Sequence, residues 1–506
     1  ANTTASTNTA VGYASMQDTT TGANNVSLGY EALGDNTTAA GNAAAGYKAL
    51  RFNTTGASLS AFGAYALYNN TTGSNNTAVG YGSLDSNTTG SANAAVGLSC
   101  LNTNTTGNHN NALGYLALQA NTTGSQNTAI GGTALYANTT ASDNTAVGYN
   151  SLGANTTGVR NTAVGKDSLK ANTTGGENTA VGNHSLEANT TGLHNSAFGY
   201  SSLASNTTGQ RNTAVGQNAM LSSTTGNYNV AMGFNTLDAN TTGSFNTSVG
   251  DSSMSTNTTG DKNVAMGQGT FANNTTGEGN TAIGYEALSG CTTGSANIAI
   301  GRTAAAALTT GINNTFIGRD AGYTTTTGSY NVVVGQASRP TNGGSQYSMG
   351  MGYNLICAPN YTTFGINTSD IRAAHGSTSW ATVSDERYKK DITTSTAGLS
   401  FINDLTPRTW NYKTLGELPE TFSAYEADST KVFKNTQTNH GFIAQEVKAV
   451  IDNHSEIKDG FRLWDDREDG SQEVAEAALI PVLVKAIQEL STQNAALAAR
   501  LTALEA

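Results

Sequence analysis

The sequence of 506 residues contains 58 Gly and only 5 Pro, and 12% of its residues are charged. So few charges and so many glycines are untypical of a compact globular enzyme and favour a repetitive fold. The net charge is −11, and the three Cys residues are an odd number spread over a long chain. This argues against nucleic acid as a partner and against a disulfide framework. No apolar run approaches the roughly 20 residues that span a bilayer, so we expect no membrane insertion.

The charged residues are unevenly distributed along the chain. Residues 1–383 hold 26 of them, whereas residues 384–506 hold 33. Such a change in composition indicates a domain boundary. We therefore predict a shaft over 1–352, a transition with terminal strands over 353–383, and a separate C-terminal domain over 384–506.

The shaft is built from a 17-residue repeat. A glycine recurs without insertion or deletion from Gly12 to Gly352, and the consensus coil reads G-Y-x-S-L-x-x-N-T-T-G-x-x-N-T-A-V. A register this strict requires each residue to stack on its counterpart in the next coil, which is typical of a solenoid. Two glycines per coil disfavour helix, and the Thr, Tyr and apolar content favours short strands. The predicted fold is therefore mostly β, a β-solenoid or β-roll.

Three columns of the repeat have a predicted structural role. The residue before the repeat glycine is apolar, as in Val11 and Leu28, and so is the fourth residue after it, as in Leu33. These two columns are predicted to form the core. An Asn stands four residues before the glycine in nearly every coil and is predicted to form a hydrogen-bonded ladder. Because a 17-residue coil encloses little volume, we expect three chains to pack together as a trimeric rod.

The shaft shows no catalytic constellation in its sequence. Its acidic residues are scattered, its histidines are isolated, and we predict no metal and no cofactor. The tyrosines that follow the repeat glycine, such as Tyr13 and Tyr30, are expected to form a surface ladder, with stacking on sugar rings as the alternative. We therefore interpret the shaft as a scaffold or an adhesive surface.

Four motifs distinguish the C-terminal part: S-D-E-R-Y-K-K-D-I at 384–392, L-T-P-R-T-W-N-Y at 405–412, H-G-F-I-A-Q-E-V at 440–447 and A-L-I-P-V-L-V-K-A-I-Q-E-L at 478–490. In this order they resemble the C-terminal intramolecular chaperone autoprocessing domain of endosialidase-type phage tailspikes and tail fibres. The A-V-G-Y and N-T-T-G motifs of the shaft resemble the head repeats of trimeric autotransporter adhesins. The first resemblance implies a small α+β domain that directs trimerisation of the preceding fibre and then cuts itself off.

The resemblance also implies which residues perform the cleavage. The cleaved bond corresponds to Val383–Ser384, and the catalytic dyad of that family corresponds to Ser384 and Lys389. A Ser hydroxyl is a poor nucleophile unless a base removes its proton, and a Lys is such a base only when desolvation lowers its pKa. Burial of Lys389 in the folded, assembled domain would therefore switch cleavage on. Three charged residues are candidates for supporting the dyad or for joining chains: Asp385, Arg387 and Glu446.

The last helix predicts assembly independently of the resemblance. Apolar residues follow spacings of 3 and 4 from Ile480 to Leu504, with Asn494 in the same seam. This heptad pattern is typical of a coiled coil, in which a polar seam residue fixes the register. A single long amphipathic helix is the alternative.

These observations together predict a homotrimeric phage tail fibre or surface adhesin, located on the virion tail or an extracellular surface. We expect its partner to be a host receptor, either a glycan or a surface protein, and its only catalytic activity to be a single self-cleavage. Because near-identical coils permit register shifts of 17 residues between chains, a C-terminal clamp is expected to align them. Two alternatives remain, a tailspike depolymerase that acts on host polysaccharide and a cellular trimeric adhesin. A carboxylate pair facing a groove would favour the depolymerase.

Overall fold

A computed structural model describes residues 4–377, 380–382, 386–422, 424–457, 461, 463–466 and 471–505. The chain divides into two compact units, Ala1–Val383 and Ser384–Ala506. The first unit is mostly β and forms a solenoid with a 17-residue coil, which confirms the predicted fold class. The described residues of the second unit form short strands and three α-helices.

Each repeat contributes one strand of three residues. Every strand pairs in parallel with the strand 17 residues further along, for example Thr162 with Thr179 and Val164 with Val181. The strands of the regular coils are β1 Thr9–Val11, β2 Val26–Leu28, β3 Ala43–Ala45, β4 Ser60–Phe62, β5 Thr77–Val79, β6 Ala94–Val96, β7 Asn111–Leu113, β8 Thr128–Ile130, β9 Thr145–Val147, β10 Thr162–Val164, β11 Thr179–Val181, β12 Ser196–Phe198, β13 Thr213–Val215, β14 Val230–Met232, β15 Thr247–Val249, β16 Val264–Met266, β17 Thr281–Ile283, β18 Ile298–Ile300, β19 Thr315–Ile317 and β20 Val332–Val334.

The core of the solenoid differs from the predicted one in one of its two columns. The leucine column is buried as predicted, with Leu33 fully inaccessible. The second buried column is the central residue of each strand, such as Ala163. The residue before the repeat glycine instead faces outward and is half-buried or exposed, by 55% in Leu28 and 49% in Leu113. The prediction was wrong because successive side chains of a strand point to opposite faces, so the central residue and its neighbour cannot both face the interior.

Two buried Asn ladders run along the inside of the solenoid. In the predicted ladder, the Asn229 amide donates to the carbonyl of Gly243 at 2.8 Å, and its side-chain oxygen accepts the backbone N–H of Asn246 at 2.9 Å. A second ladder consists of the Asn residues of the N-T-T motifs, where Asn172 donates to Asn155 at 2.8 Å. These side chains therefore satisfy backbone groups that face the interior of the coil.

The regular coils end in a different arrangement of strands. Six strands follow: β21 Arg339–Pro340, β22 Met349–Tyr353, β23 Ile356–Cys357, β24 Tyr361–Ile366, β25 Ser369–Ala374 and β26 Ala381–Thr382. β24 pairs in parallel with β22, and β24, β25 and β26 then pair antiparallel in chain order. Of the residues predicted for terminal strands, Tyr361 and Phe364 lie in β24 and Trp380 directly precedes β26. Val383 lies outside the described residues.

The second unit is built around one small core. Its elements are α1 Leu399–Asp404, β27 Arg408–Trp410, β28 Asn439–Gly441, α2 Ala444–Asn453, β29 Trp464–Asp466, β30 Gln472–Val474 and α3 Leu479–Glu505, with 3-10 turns at Glu386–Tyr388, Leu415–Glu417 and Glu476–Ala478. Its buried core consists of Ala397, Phe401, Leu405, Val447, Ile451, Leu463, Leu479 and Val482. None of the described helices is long and apolar enough to cross a membrane.

Candidate functional site

The predicted cleavage site lies at the start of the second unit. Val383, Ser384 and Asp385 fall outside the described residues. Of the predicted dyad, the structure therefore describes Lys389 and not Ser384. Lys389 follows the turn Glu386–Tyr388 and donates its backbone N–H to the Glu386 carbonyl at 2.9 Å. Lys389 is exposed, and so is Arg387. In a single chain, the residue predicted to act as the base is therefore accessible to solvent.

The second and third C-terminal motifs come together in the fold. Strands β27 and β28 pair antiparallel, with Thr409 opposite His440. Next to this pair, the Arg408 guanidinium binds both carboxylate oxygens of Glu446 at 2.9 Å. This hydrogen-bonded ion pair lowers the pKa of Glu446. Glu446 is one of the three residues predicted to support the dyad. Its ion pair with Arg408 links β27 to helix α2.

His454 connects two helices of the second unit and was missed by the sequence analysis. Its Nε2 lies 2.8 Å from Oδ2 of Asp404 at the end of α1, and its Nδ1 lies 2.9 Å from Oε1 of Glu456. The hydrogen bonds to Glu456 and Asp404 raise the pKa of His454, and its buried ring packs edge-on against Phe401. Asp404 and His454 are 50 positions apart in the sequence, and no periodic pattern of the sequence predicts a contact between them.

The first turns of helix α3 pack against the core of the second unit. Its buried residues are Leu479, Val482 and Ala486. One turn further on, the Glu489 carboxylate accepts the backbone N–H of Leu399 at 2.8 Å and so satisfies a free donor at the start of α1. The fourth motif therefore fixes the position of α1, and the first three turns of α3 belong to the folded unit.

The first three tyrosines that follow the repeat glycine form a stacked surface ladder. The rings of Tyr13 and Tyr30 stack with their centroids 5.2 Å apart, and those of Tyr30 and Tyr47 stack at 5.4 Å. Because each of these rings covers a face of its neighbour, the ring faces inside the stack are occupied. This geometry favours ladder packing over the stacking of sugar rings on these tyrosines.

Two carboxylates of the solenoid come together around one cation. Both Glu31 and Asp35 form ion pairs with Arg51. Burial raises the pKa of Glu31, but hydrogen bonds from Tyr30 and Arg51 outweigh burial and lower it. Glycoside hydrolysis requires one carboxyl group that stays protonated near neutral pH. Glu31 has the opposite property, so it does not supply the acid that a depolymerase requires.

The comparison with protein families identifies the second unit. Residues 384–456 match the family described as chaperone of endosialidase, and this segment contains the first three C-terminal motifs together with the Arg408–Glu446 pair. No curated protein matches the chain. The family match follows directly on a long β-solenoid, which is the combination expected of a phage tail fibre or tailspike. Residues 384–456 are thus the part of the chain that is similar to this family, and together with the β-solenoid they fit an endosialidase-type tail fibre with a C-terminal chaperone domain.

Proposed function

We propose that this protein is a homotrimeric tail fibre that attaches to a host receptor, and that its C-terminal unit aligns three chains and then cuts itself off before Ser384. The observation that carries the proposal is a continuous apolar surface along the solenoid, which we term the apolar stripe. It consists of the outward residues that precede the repeat glycines: Val11, Leu28, Ala45, Phe62, Val79, Val96, Leu113, Ile130, Val147, Val164, Val181, Phe198, Val215, Met232, Val249, Met266, Ile283, Ile300, Ile317, Val334 and Met351.

The composition of the apolar stripe supports its burial between chains. No member is polar or charged, and the members range from half-buried, as in Val181, to about half exposed, as in Leu113. Monomeric soluble proteins rarely leave so extended an apolar surface in water. A partner that covers the stripe from end to end needs the same rise per coil, because otherwise its contacts lose register. Another copy of this chain has that rise.

The heptad seam of helix α3 supports the same assembly. Its apolar residues lie away from the core of the second unit, and Ile487 and Leu497 are each 66% exposed. The helix extends for 27 residues, which leaves its last turns beyond the residues that pack on the core. The seam residues occupy the two core positions of the heptad repeat, and exposed residues at these positions pack against the helices of other copies in a coiled coil.

The repetitive solenoid needs such a clamp because it lacks its own register information. A shift of one chain by 17 residues would place each member of the apolar stripe against an equivalent apolar residue. The heptad seam occurs once, at the C-terminal end, and is interrupted by Asn494, which fixes the register of a coiled coil. Alignment at this end therefore precedes packing of the coils.

The proposed cleavage proceeds through an ester. The Ser384 hydroxyl gives its proton to the Lys389 amine while its oxygen attacks the carbonyl carbon of Val383. The peptide C–N bond breaks, the nitrogen of Ser384 takes up the proton, and water then hydrolyses the ester between Val383 and the Ser384 side chain. A lysine base requires desolvation. Because Lys389 is exposed in the single chain, coverage by neighbouring chains would couple cleavage to assembly.

Denaturing electrophoresis with intact-mass measurement tests the cleavage. We expect the purified chain to yield two fragments that meet at the Val383–Ser384 bond. Ser384→Ala and Lys389→Ala should stay full-length, whereas the matched variants Ser395→Ala and Lys390→Ala should be cut like the unmodified chain. Cleavage that persists in Ser384→Ala, or a full-length product from every variant, would refute the self-cleavage.

Sedimentation velocity on the same samples tests the assembly. We expect a trimer for the cleaved fibre and for the uncut Ser384→Ala chain, because cleavage follows assembly in the proposed order. A monomer in both samples would overturn the trimeric fibre irrespective of the cleavage result.

A further inference from the structure

The solenoid ends in an apolar sheet face that is wider than the stripe along its coils. The coil strands have three residues each, whereas β22 has five and β24 and β25 have six. Paired residues of neighbouring strands point to the same face of a sheet, so the pairs Met351–Phe364 and Phe364–Ile371 extend the apolar stripe onto the last strands. We term this surface the cap face, and it consists of Met349, Met351, Tyr353, Phe364, Ile366 and Ile371.

The cap face is open to solvent in a single chain. Ile366 is 58% exposed, and even Phe364, the most covered member, is 38% exposed. None of the six members carries a charge. Trp380 adds to the same surface, because its ring centroid lies 5.5 Å from that of Phe364. Uncharged aromatic and long apolar side chains of this kind are typical of the centre of a protein interface.

The cap face breaks the 17-residue period of the coils. Met351 pairs with Phe364, 13 positions further on, and Phe364 pairs with Ile371 after 7 positions. β25 also runs antiparallel to β24, whereas the coil strands pair in parallel. If one chain of a bundle were shifted by one coil, its cap strands would lie against the short coil strands of another chain. Part of the cap face would then remain in water, so this surface distinguishes the aligned arrangement from the shifted ones.

The cap face also lies on the part of the chain that the proposed cleavage leaves behind. β22, β24 and β25 belong to the first unit, Ala1–Val383, whereas helix α3 belongs to the second unit, Ser384–Ala506. Cleavage before Ser384 would therefore remove the heptad seam and keep the cap face.

We propose that the cap face binds the cap faces of two further copies of this chain, and that this contact holds the three chains in register after the C-terminal unit has been cut off. The partner is another copy because the cap face continues the apolar stripe through the pairs Val334–Met351 and Met351–Phe364. A different protein would have to match both the rise of the coils and the irregular strands at their end. The inference rests on the proposed trimeric fibre and adds the surface that keeps it aligned.

Quenching of Trp380 fluorescence by acrylamide tests the proposal. The chain has three tryptophans, so Trp410→Phe/Trp464→Phe in the full-length protein leaves Trp380 as the only reporter. A single chain exposes 51% of Trp380, and we expect the other copies to cover it. Acrylamide should then quench the native protein several-fold less than the urea-unfolded chain. The cut fibre and the uncut Ser384→Ala version of this reporter chain should be equally protected, because the cap face belongs to the first unit.

Two isoleucine variants of the reporter chain separate the cap face from other apolar surfaces. Ile371→Glu places one carboxylate from each chain in the proposed contact. Ile356→Glu adds the same charge at an exposed residue of β23, which pairs with β21 in a separate sheet. Ile371→Glu should raise the quenching of Trp380 several-fold and lower the midpoint of thermal unfolding of the cut fibre. Ile356→Glu should leave both unchanged.

Sedimentation velocity on the same samples separates a failure of the cap face from a failure of the fibre. A trimer in which Trp380 is freely quenched, or equal effects of the two isoleucine variants, would overturn the proposed role of the cap face and leave the trimeric fibre standing. A rise in quenching on cleavage would show that the second unit, and not the cap face, closes this end. A monomeric reporter chain would overturn the trimeric fibre and this inference with it.

Discussion

His454 Nε2 lies 2.8 Å from the carboxylate of Asp404 and thereby ties the end of helix α2 to the end of helix α1. Its other ring nitrogen meets Glu456 at 2.9 Å, so both nitrogens face carboxylates. The charged imidazolium form has a donor on each nitrogen and satisfies both contacts, whereas the neutral form satisfies one. The position directly after α2 also favours a cation, because the C-terminus of a helix carries partial negative charge.

This arrangement predicts that the chaperone unit loses stability as the pH rises. The hydrogen bonds to Glu456 and Asp404 raise the folded-state pKa of His454 above its unfolded value of about 6.5. The folded state therefore binds the proton more tightly, and the stabilisation is complete below about pH 6.5 and is lost as the pH rises through the folded-state pKa. Urea unfolding followed by tryptophan fluorescence measures this loss.

Two histidine variants check the assignment. His454→Gln cannot titrate, so its free energy of unfolding should depend less on pH than that of the unmodified chain over this window. His440→Gln, at an exposed residue of β28, should keep the original dependence. A pH profile that is the same in His454→Gln as in the unmodified chain would show that another group causes it.

The repeat glycine predicts a large and position-specific cost of substitution. Gly216 has φ of 128°, and a Cβ there would lie 2.3 Å from the carbonyl oxygen of Gly233 in the next coil. Gly216→Ala should therefore destabilise the solenoid by several kcal/mol, because backbone strain of roughly 1–3 kcal/mol adds to an overpacking cost of similar size. Gly279→Ala should cost only roughly 1–2 kcal/mol for the left-handed backbone, because a Cβ at Gly279 would meet no atom within 4 Å. Thermal unfolding followed by circular dichroism compares them, and equal shifts would contradict the explanation.

The contrast between correct and incorrect predictions has a physical origin. The strict 17-residue period requires stacked coils, so the solenoid and its Asn ladder were predictable from the sequence alone. The period does not determine which way a side chain points, and Leu28 was assigned to the core although its strand neighbour Ser27 is the residue that is buried. Contacts such as Arg408–Glu446 and Asp404–His454 join residues 38 and 50 positions apart. They depend on how the second unit folds, and no local pattern reveals them.

The buried Asn ladder predicts that an Asn→Ala substitution inside the coil destabilises the solenoid much more than an Asn→Ala substitution on its surface. Asn229→Ala would leave the Gly243 carbonyl and the Asn246 N–H, both now bonded to Asn229, without these partners in the interior. Each unsatisfied buried group costs about 1–3 kcal/mol, so we expect the two groups to lower the free energy of unfolding by roughly 2–6 kcal/mol. Asn183→Ala removes an Asn side chain that is exposed on the outside of the coil and should cost well under about 1 kcal/mol. Denaturant unfolding of the two variants measures this difference. Similar midpoints in the two variants would show that the buried Asn ladder does not stabilise the solenoid.

The apolar stripe predicts that charges on one face of the solenoid prevent assembly while the same charges elsewhere do not. Val164 and Val181 are neighbours in the stripe, and Val164→Glu/Val181→Glu places two carboxylates from each chain at the proposed interface. Unpaired buried charges cost several kcal/mol each, so this variant should sediment as a monomer. Val159→Glu/Leu193→Glu adds the same charge at half-buried outward residues of another column and should sediment as a trimer. A trimer in the stripe variant would show that the chains pack through a different face, and a monomer in both variants would show that the effect is not specific to the apolar stripe.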